Sequence, residues 1–409
     1  MIISIINVGN EVLDGDVINS NAQFLSKNLY QMGHEIKFHN VCQDKYEDIL
    51  SVLNFFSKTS DLIILTGGLG PTKDDMTKEV LANFLNKKLV KNQEILLDIK
   101  NKFKSFSKKM TENNIKQSYV IEGAKILFNN KGTAPGFIVE SEECDYILLP
   151  GPPREMKHLF GKYIRDYLKD DNSSKIESRI IKIDGVGEST VASQINDLIQ
   201  QKDIYVATYA KMGEVKVKLS TTQSGTVLDN TKNEIIRRFK NHIISFSEKE
   251  TYISLCEHLI ENNISISTAE SCTGGLLSSK IVENSGISKI YFGSYITYNN
   301  EMKTKELGVN KDVIIEHGAV SEVVAREMLL GLFAKTKTDV CIAITGIAGP
   351  TGGSNDKPVG LVYIGFKIFE EIFIIKNHFR GNRNEIRERS VNKVFNILSR
   401  KLIIDNLHQ

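Results

Sequence analysis

The chain is 409 residues long, more than one ordinary core accommodates, so two or three domains are expected. Its 52 basic and 50 acidic residues leave a net charge of +2, which excludes a global field for nucleic acid or an acidic membrane surface. Hydrophobic residues at 41% describe an ordinary globular composition, and the five scattered cysteines (Cys42, Cys144, Cys256, Cys272 and Cys341) contain no CxxC pair to suggest a disulfide framework or a zinc site.

Ile2-Ile3-Ser4-Ile5-Ile6 reads as a strand covered on both faces, the mark of a parallel sheet. Met1 to Gly9 lacks a basic n-region and no apolar run approaches membrane-spanning length, so a reducing cytoplasm is the expected compartment. Gly9 to Asp16 is a loop dense in carboxylates. Ser20 to Gln23 matches a capping box, and Ala22, Leu25, Leu29 and Met32 continue at helical spacing to a stop at Gly33. A strand through Ile36, Phe38 and Val41, a helix after Tyr46 and a second apolar strand at Leu62 to Leu65 complete an alternation that predicts a doubly wound α/β domain.

That second strand runs into residues 66–77, TGGLGPTKDDMT. Loops beyond the carboxyl ends of strands are where open α/β sheets bind ligands. Glycines there let backbone N–H groups approach an anion, and adjacent aspartates suit a hard cation bridging to phosphate. A tight turn followed by an acidic helix start fits the same residues. Two more Gly/Pro loops, GTAPGF at 132–137 and LPGPPREM at 149–156, precede an amphipathic helix through Met156, Leu159, Phe160, Tyr163, Ile164 and Tyr167.

Asp170-Asp171-Asn172-Ser173-Ser174 reads as a linker. Beyond it, strand, helix, two strands, helix and strand form a small βαββαβ-like α+β module, in which the alternation of Val215 to Leu219 leaves one sheet face solvated. Its Gly185-Val186-Gly187-Glu188-Ser189 turn could hold an anion or simply connect strand to helix, and an RNP-type aromatic signature is absent.

The third unit carries the stretch Thr268-Ala269-Glu270-Ser271-Cys272-Thr273-Gly274-Gly275, where a strand ends, turns and feeds a helix. Such a turn presents unpaired N–H groups, so Ser271 is either a helix cap, the commoner role, or a nucleophile beside an oxyanion site. Downstream, the buried strand Val340 to Ile344 ends in TGIAGPTGG at 345–353. This loop shares the frame TGxxGPT with residues 66–72, one device used twice, and two such cradles suggest two nucleotide-like ligands.

Taken together, TGGLGPTKDDMT, GTAPGF, LPGPPREM, TAESCTGG, YNNEMK, TGIAGPTGG and KPVG, in this order, resemble the competence/damage-inducible protein A (CinA) family over essentially the whole chain. The resemblance implies an α/β molecule with a doubly wound molybdopterin-binding-like domain (1–170), a small α+β middle domain (175–247) and an α/β nicotinamide-nucleotide amidase domain (249–409). It implies hydrolysis of nicotinamide mononucleotide to nicotinate mononucleotide and ammonia by a Ser/Lys hydrolase. Carried over by motif, Ser271 is the nucleophile, Lys303 its base, and Tyr298 positions or relays the proton. On this mechanism the amides near Cys272 to Gly275, with Thr273, Gly274 and Gly275, are expected to stabilise the oxyanion. The loop through Thr345, Gly346, Ile347, Ala348, Gly349, Gly352 and Gly353 cradles phosphate or ribose, and Arg383 is a further substrate contact. Cys272 is the rival nucleophile, intrinsically more reactive than serine.

For the first domain the resemblance implies metal-dependent hydrolysis of ADP-ribose to AMP and ribose 5-phosphate. Asp74, Asp75, Glu11 and Asp44 are the expected holders of a divalent cation, and Gly67, Gly68, Gly70 and Thr72 hold phosphate. Asn130-Lys131 stands where the pattern expects Asn-Pro. The amidase domain needs no cofactor, the partners are these small nucleotides, and a homodimer without membrane or direct nucleic-acid contact is expected. Alternatives are an amidase with a purely pterin- or nucleotide-binding first domain, or a competence-related binding protein without catalysis.

Overall fold

Ile2–Val8 is apolar because it lies inside a sheet with helices on both faces, the reason its burial does not alternate. In the computed structural model, which describes residues 1–169, 176–223 and 226–408, this strand belongs to a six-stranded sheet. The order is Glu35–Cys42, Ile2–Val8, Leu62–Thr66, Asp145–Leu149, Gly136–Val139 and Lys125–Leu127. The first four strands are parallel and the last two antiparallel. Ile3, Ile5, Leu62 and Ile64 pack with Leu25, Leu29, Met156 and Leu159 on one face. Ile6, Val8, Ile63 and Leu65 pack with Ile49, Leu53, Val80 and Leu81 on the other. This is the doubly wound arrangement. The expected linker Asp170–Ser174 lies outside the described residues.

The helix expected to start with a Ser20 capping box is instead capped one residue earlier. Asn19 accepts the Ala22 N–H at 3.0 Å and donates to Asn7 at 3.0 Å, and this second bond fixes the asparagine as the cap.

Contacts divide the chain into two compact units, Met1–Glu177 and Ser178–Gln409. In the second, the βαββαβ order is realised as a four-stranded sheet, Tyr205–Lys211, Glu214–Thr221, Glu177–Ile183 and Ile243–Ser245. A five-stranded sheet follows, in the order Tyr291–Ile296, Ile266–Glu270, Val340–Gly346, Leu361–Ile368 and Glu371–His378. Its first three strands are parallel and its last two antiparallel.

Ile266–Glu270 is buried at every position despite its polar residues. Ser267 Oγ pairs with Thr338 Oγ1 at 2.7 Å and Thr268 Oγ1 with the Tyr291 hydroxyl at 2.9 Å, so the hydroxyls of this strand are satisfied by neighbours. Helices Thr251–Glu261 and Arg383–Ser399 cover one face, and helices Asn300–Leu307 and Glu322–Thr336 the other.

The last two helices approach closely where Gly331 has no side chain, since a Cβ there would collide with the Leu307 carbonyl. Gly331→Ala is expected to cost about 1–3 kcal/mol of stability by overpacking and to shift the helix that carries Lys303. Urea unfolding checks the first effect; an unchanged midpoint contradicts the close approach.

Candidate active site

Ser271 is held at the end of the buried strand. Its own N–H donates to the Ile344 carbonyl at 2.9 Å, and the Thr297 N–H donates to the Glu270 carbonyl at 2.8 Å, so both neighbouring strands grip the residue where the chain turns. Gly274 and Gly275 then take left-handed φ of 57° and 92°, and helix Leu276–Val282 begins.

Ser271 does not cap that helix. The cap is Glu270, whose fully buried carboxylate accepts the N–H groups of Gly275, Leu277 and Ser278 at 3.0, 3.1 and 2.8 Å, and the Ser278 hydroxyl at 2.6 Å. A carboxylate neutralises the positive helix end better than a hydroxyl does, which leaves the serine oxygen unengaged by the helix. The Gly274 N–H donates to the Ser271 carbonyl at 3.1 Å and the Leu276 N–H to the Thr273 carbonyl at 3.2 Å. Of the amides expected to face an oxyanion, those of Gly274 and Gly275 are therefore occupied. Those of Cys272 and Thr273 have no acceptor among the described residues, and the buried Thr273 Oγ1 has no partner there either.

Lys303 reaches the serine from the other side of the sheet. It projects inward from helix Asn300–Leu307, whose N-cap Asn299 accepts the Met302 N–H at 2.8 Å. Lys303 is 1% exposed, and its Nζ lies 3.1 Å from Ser271 Oγ, 2.9 Å from the Thr297 carbonyl and 3.5 Å from the Tyr298 carbonyl. Burial drives its pKa from the ordinary 10.5 down to about 8. Once neutral, the amine can keep its two hydrogens on the carbonyls and turn its lone pair to the serine hydroxyl. Cys272 is 6% exposed within the apolar cluster beside the sheet, and burial pushes its thiol up to about 12, so it stays protonated at neutral pH.

The Tyr298 side chain is 58% exposed, and its hydroxyl accepts from Arg383 Nη2 at 2.7 Å rather than from Lys303 or Ser271. Arg383 Nη1 donates to the Gly349 carbonyl at 2.6 Å, so this arginine joins the tyrosine to the Gly-rich loop. The first half of that loop is built into the sheet. Thr345 is buried with its hydroxyl on the Ala319 carbonyl at 2.8 Å, Gly346 pairs with Val362, the Ile347 N–H donates to Leu361, and Ala348 is buried. Gly349 is buried with its carbonyl on Arg383, and the loop becomes exposed at residues 350–353.

Two residues escaped the sequence reading. Besides Glu270, Arg387 clamps the turn that follows Ser271 through Nε and Nη2 on the Thr273 carbonyl, at 3.3 and 2.8 Å. The signal for Glu270 was a carboxylate just upstream of a Gly-Gly helix start; Arg387 left none, since it acts across 114 residues of chain.

In the first unit the parallel strand ends border a cavity of about 560 Å³ that gathers Glu11, Asp44, Asp74 and Asp75 with Gly67, Gly68 and Gly70. The glycines serve the turn itself, because a Cβ on Gly67 would strike the Val8 carbonyl and one on Gly68 the Thr77 hydroxyl. Thr72 does not line the cavity; its N–H donates to Asp75 Oδ2 at 2.9 Å and its hydroxyl to the same oxygen. Asp44 accepts the Asn10 N–H at 3.0 Å, and burial, with Glu11, Asp74 and Asp75 nearby, holds its carboxyl above the usual range.

Among the described residues no group of three or more His, Cys, Asp or Glu is arranged to hold a metal ion. Carboxylate oxygens such as those of Glu11, Asp44, Asp74 and Asp75 on this cavity wall are the donor type that a hard cation takes.

Three family models match in succession: "Probable molybdopterin binding domain" at residues 4–170, "Damage-inducible protein CinA KH domain" at 178–245 and "CinA C-terminal domain" at 249–402. A "CinA-like protein" of Dictyoglomus turgidum is 41% identical over 405 residues, covering 98% of this chain and 98% of its own. The chain belongs to the CinA family. Another CinA-like protein, of Dictyoglomus thermophilum, is 40% identical over 405 residues, again with 98% of each chain covered. A crystal structure of CinA from Thermoplasma acidophilum is 32% identical, with a TM-score of 0.38 over 40% of this chain and 96% of its own. No helix among the described residues of this CinA chain is long and apolar enough to cross a membrane.

The buried amine makes a stability prediction with a definite sign. Below about pH 8 Lys303 is charged in both folded and unfolded chains and its burial destabilises the fold by about 3 kcal/mol; between about 8 and 10.5 the unfolded chain binds more protons, so that penalty fades as pH rises. Lys303→Met is expected to melt above the wild type at pH 7 and to lose this advantage near pH 10. A lower melting temperature at both pH values contradicts it.

Proposed function

We propose that the C-terminal part of the chain hydrolyses the carboxamide of nicotinamide mononucleotide to nicotinate mononucleotide and ammonia. The observation that carries this reading is the buried contact of Lys303 Nζ with Ser271 Oγ at 3.1 Å, with the lysine pKa lowered to about 8. A lysine serves as a base when burial or a neighbouring cation depresses its pKa, and here burial does so.

Neutral Lys303 takes the Ser271 proton as Oγ attacks the amide carbon. The resulting oxyanion is met by the Cys272 and Thr273 amides, each worth about 3 kcal/mol when well aimed. The Lys303 ammonium then gives its proton to the departing nitrogen, and ammonia leaves. Lys303 next activates water, which cleaves the acyl ester and restores the serine. Arg383 and the exposed backbone of residues 350–353 would hold ribose or phosphate. Arg387 fixes the turn, and Tyr298 positions Arg383.

For the first unit the proposal is hydrolysis of ADP-ribose to AMP and ribose 5-phosphate. Asp44, Asp74, Asp75 and Glu11 would hold a divalent cation that neutralises charge on the diphosphate. A second reading, binding of a pterin or nucleotide without catalysis, is favoured by the lack of a preformed three-residue metal cluster among the described residues.

Ammonia release from nicotinamide mononucleotide tests the first proposal. The rate is expected to rise with pH and level off above about 8, as Lys303 loses its proton. Ser271→Ala and Lys303→Ala should each lose about 1,000-fold or more, Cys272→Ala should retain most activity, and chelator should stop AMP release while sparing ammonia release. Activity that survives in Ser271→Ala but not in Cys272→Ala overturns the assignment.

A further inference from the structure

In the first unit the loop from Asn129 through Ala134 closes on one side chain, that of Glu155. It lies in the first turn of helix Pro153–Leu159 and borders the same cavity as Asp44, Asp74 and Asp75. Its Oε2 accepts from Asn129 Nδ2 at 2.6 Å. Asn129 is fully buried and held in turn, donating to the Ala134 carbonyl at 2.9 Å and accepting the Lys131 N–H at 2.9 Å. Lys102 Nζ closes the arrangement on the Asn129 carbonyl at 2.6 Å. Gly132 has no side chain where the Glu155 carboxylate sits, and any Cβ there would overlap it. The GTAPGF loop is thus shaped around this carboxylate. Its other oxygen, Oε1, has no protein donor among the described residues.

We propose that Glu155 is the general base of the N-terminal site, accepting through Oε1 the proton of the water that attacks the diphosphate; this rests on the ADP-ribose reading above. A new P–O bond forms from the water oxygen as its proton passes to Oε1. The bridging P–O bond breaks and its electron pair leaves on the departing phosphate oxygen, giving AMP and ribose 5-phosphate. Glu155 then returns its proton to solvent. Two features suit the carboxylate to this task. Asn129 orients it without neutralising it, and burial holds its pKa above the ordinary carboxylate range against the opposing pull of that hydrogen bond and of Lys102. The cation-facing carboxylates Asp44, Asp74 and Asp75 occupy the same cavity on other loops, so the base and the charge-holding groups are separate residues.

Glu155→Gln is the test, because an amide oxygen still accepts from Asn129 while the basicity is gone. Full-length wild type and variant are compared for AMP release from ADP-ribose at saturating Mg²⁺ across pH, for ADP-ribose binding by calorimetry without metal, and for thermal melting. The expected result is unchanged melting and affinity, with kcat about 100-fold lower or less and the wild-type acid limb of the pH profile abolished. Wild-type AMP release by Glu155→Gln overturns the base assignment and leaves the ADP-ribose reading standing. Loss of affinity or of melting temperature assigns Glu155 to bracing the loop and overturns it as well. A wild type that binds ADP-ribose but releases no AMP defeats both.

Discussion

The second unit depends on one buried contact, the approach of a lysine amine to a serine hydroxyl at 3.1 Å at the end of a fully covered parallel strand. Water is excluded there, so the ammonium form is costly and the amine form becomes accessible near neutral pH. The surroundings make sense as ways of holding that contact. The strand edge fixes Ser271 through Ile344 and Thr297, two carbonyls hold the Lys303 nitrogen, and Gly331 lets the lysine-bearing helix pack tightly against its neighbour.

A second ionisable side chain sits as deep and does a different job. Glu270 is adjacent to Ser271 in sequence but points to the helix start, where four donors satisfy it. By occupying the helix end it engages the amides of Gly275 and Leu277, so that in the turn those of Cys272 and Thr273, to which the proposal assigns the oxyanion, are the ones without an acceptor among the described residues. Arg387, reaching in from helix Arg383–Ser399, fixes the Thr273 carbonyl and so the plane of the turn. Charged side chains drawn from distant segments thus set the geometry of a turn that the local sequence leaves underdetermined.

Much of the framework was legible in the chain itself. Ile2–Val8, Leu62–Thr66 and Val340–Gly346 are too apolar for a half-solvated sheet, and the turns after them are rich in glycine for close backbone approaches. The lysine was not legible from periodicity. Helix Asn300–Leu307 is polar along nearly its whole length, and only Lys303 and Leu307, one turn apart, face inward, so Lys303 looks like any surface residue until the fold is known. Family resemblance picked it out where physics read from one dimension could not. The same limit explains the one misplaced cap: Asn19 wins over Ser20 because its amide also donates to Asn7 on the neighbouring strand.

The most direct test of the central claim is the ionisation of Lys303 itself, read from the pH dependence of its side-chain ¹³Cε chemical shift, assigned against Lys303→Met. A midpoint near 8 is expected for an amine buried against Ser271. A midpoint near the ordinary value of about 10.4 would mean that the amine is solvated and could not act as the base.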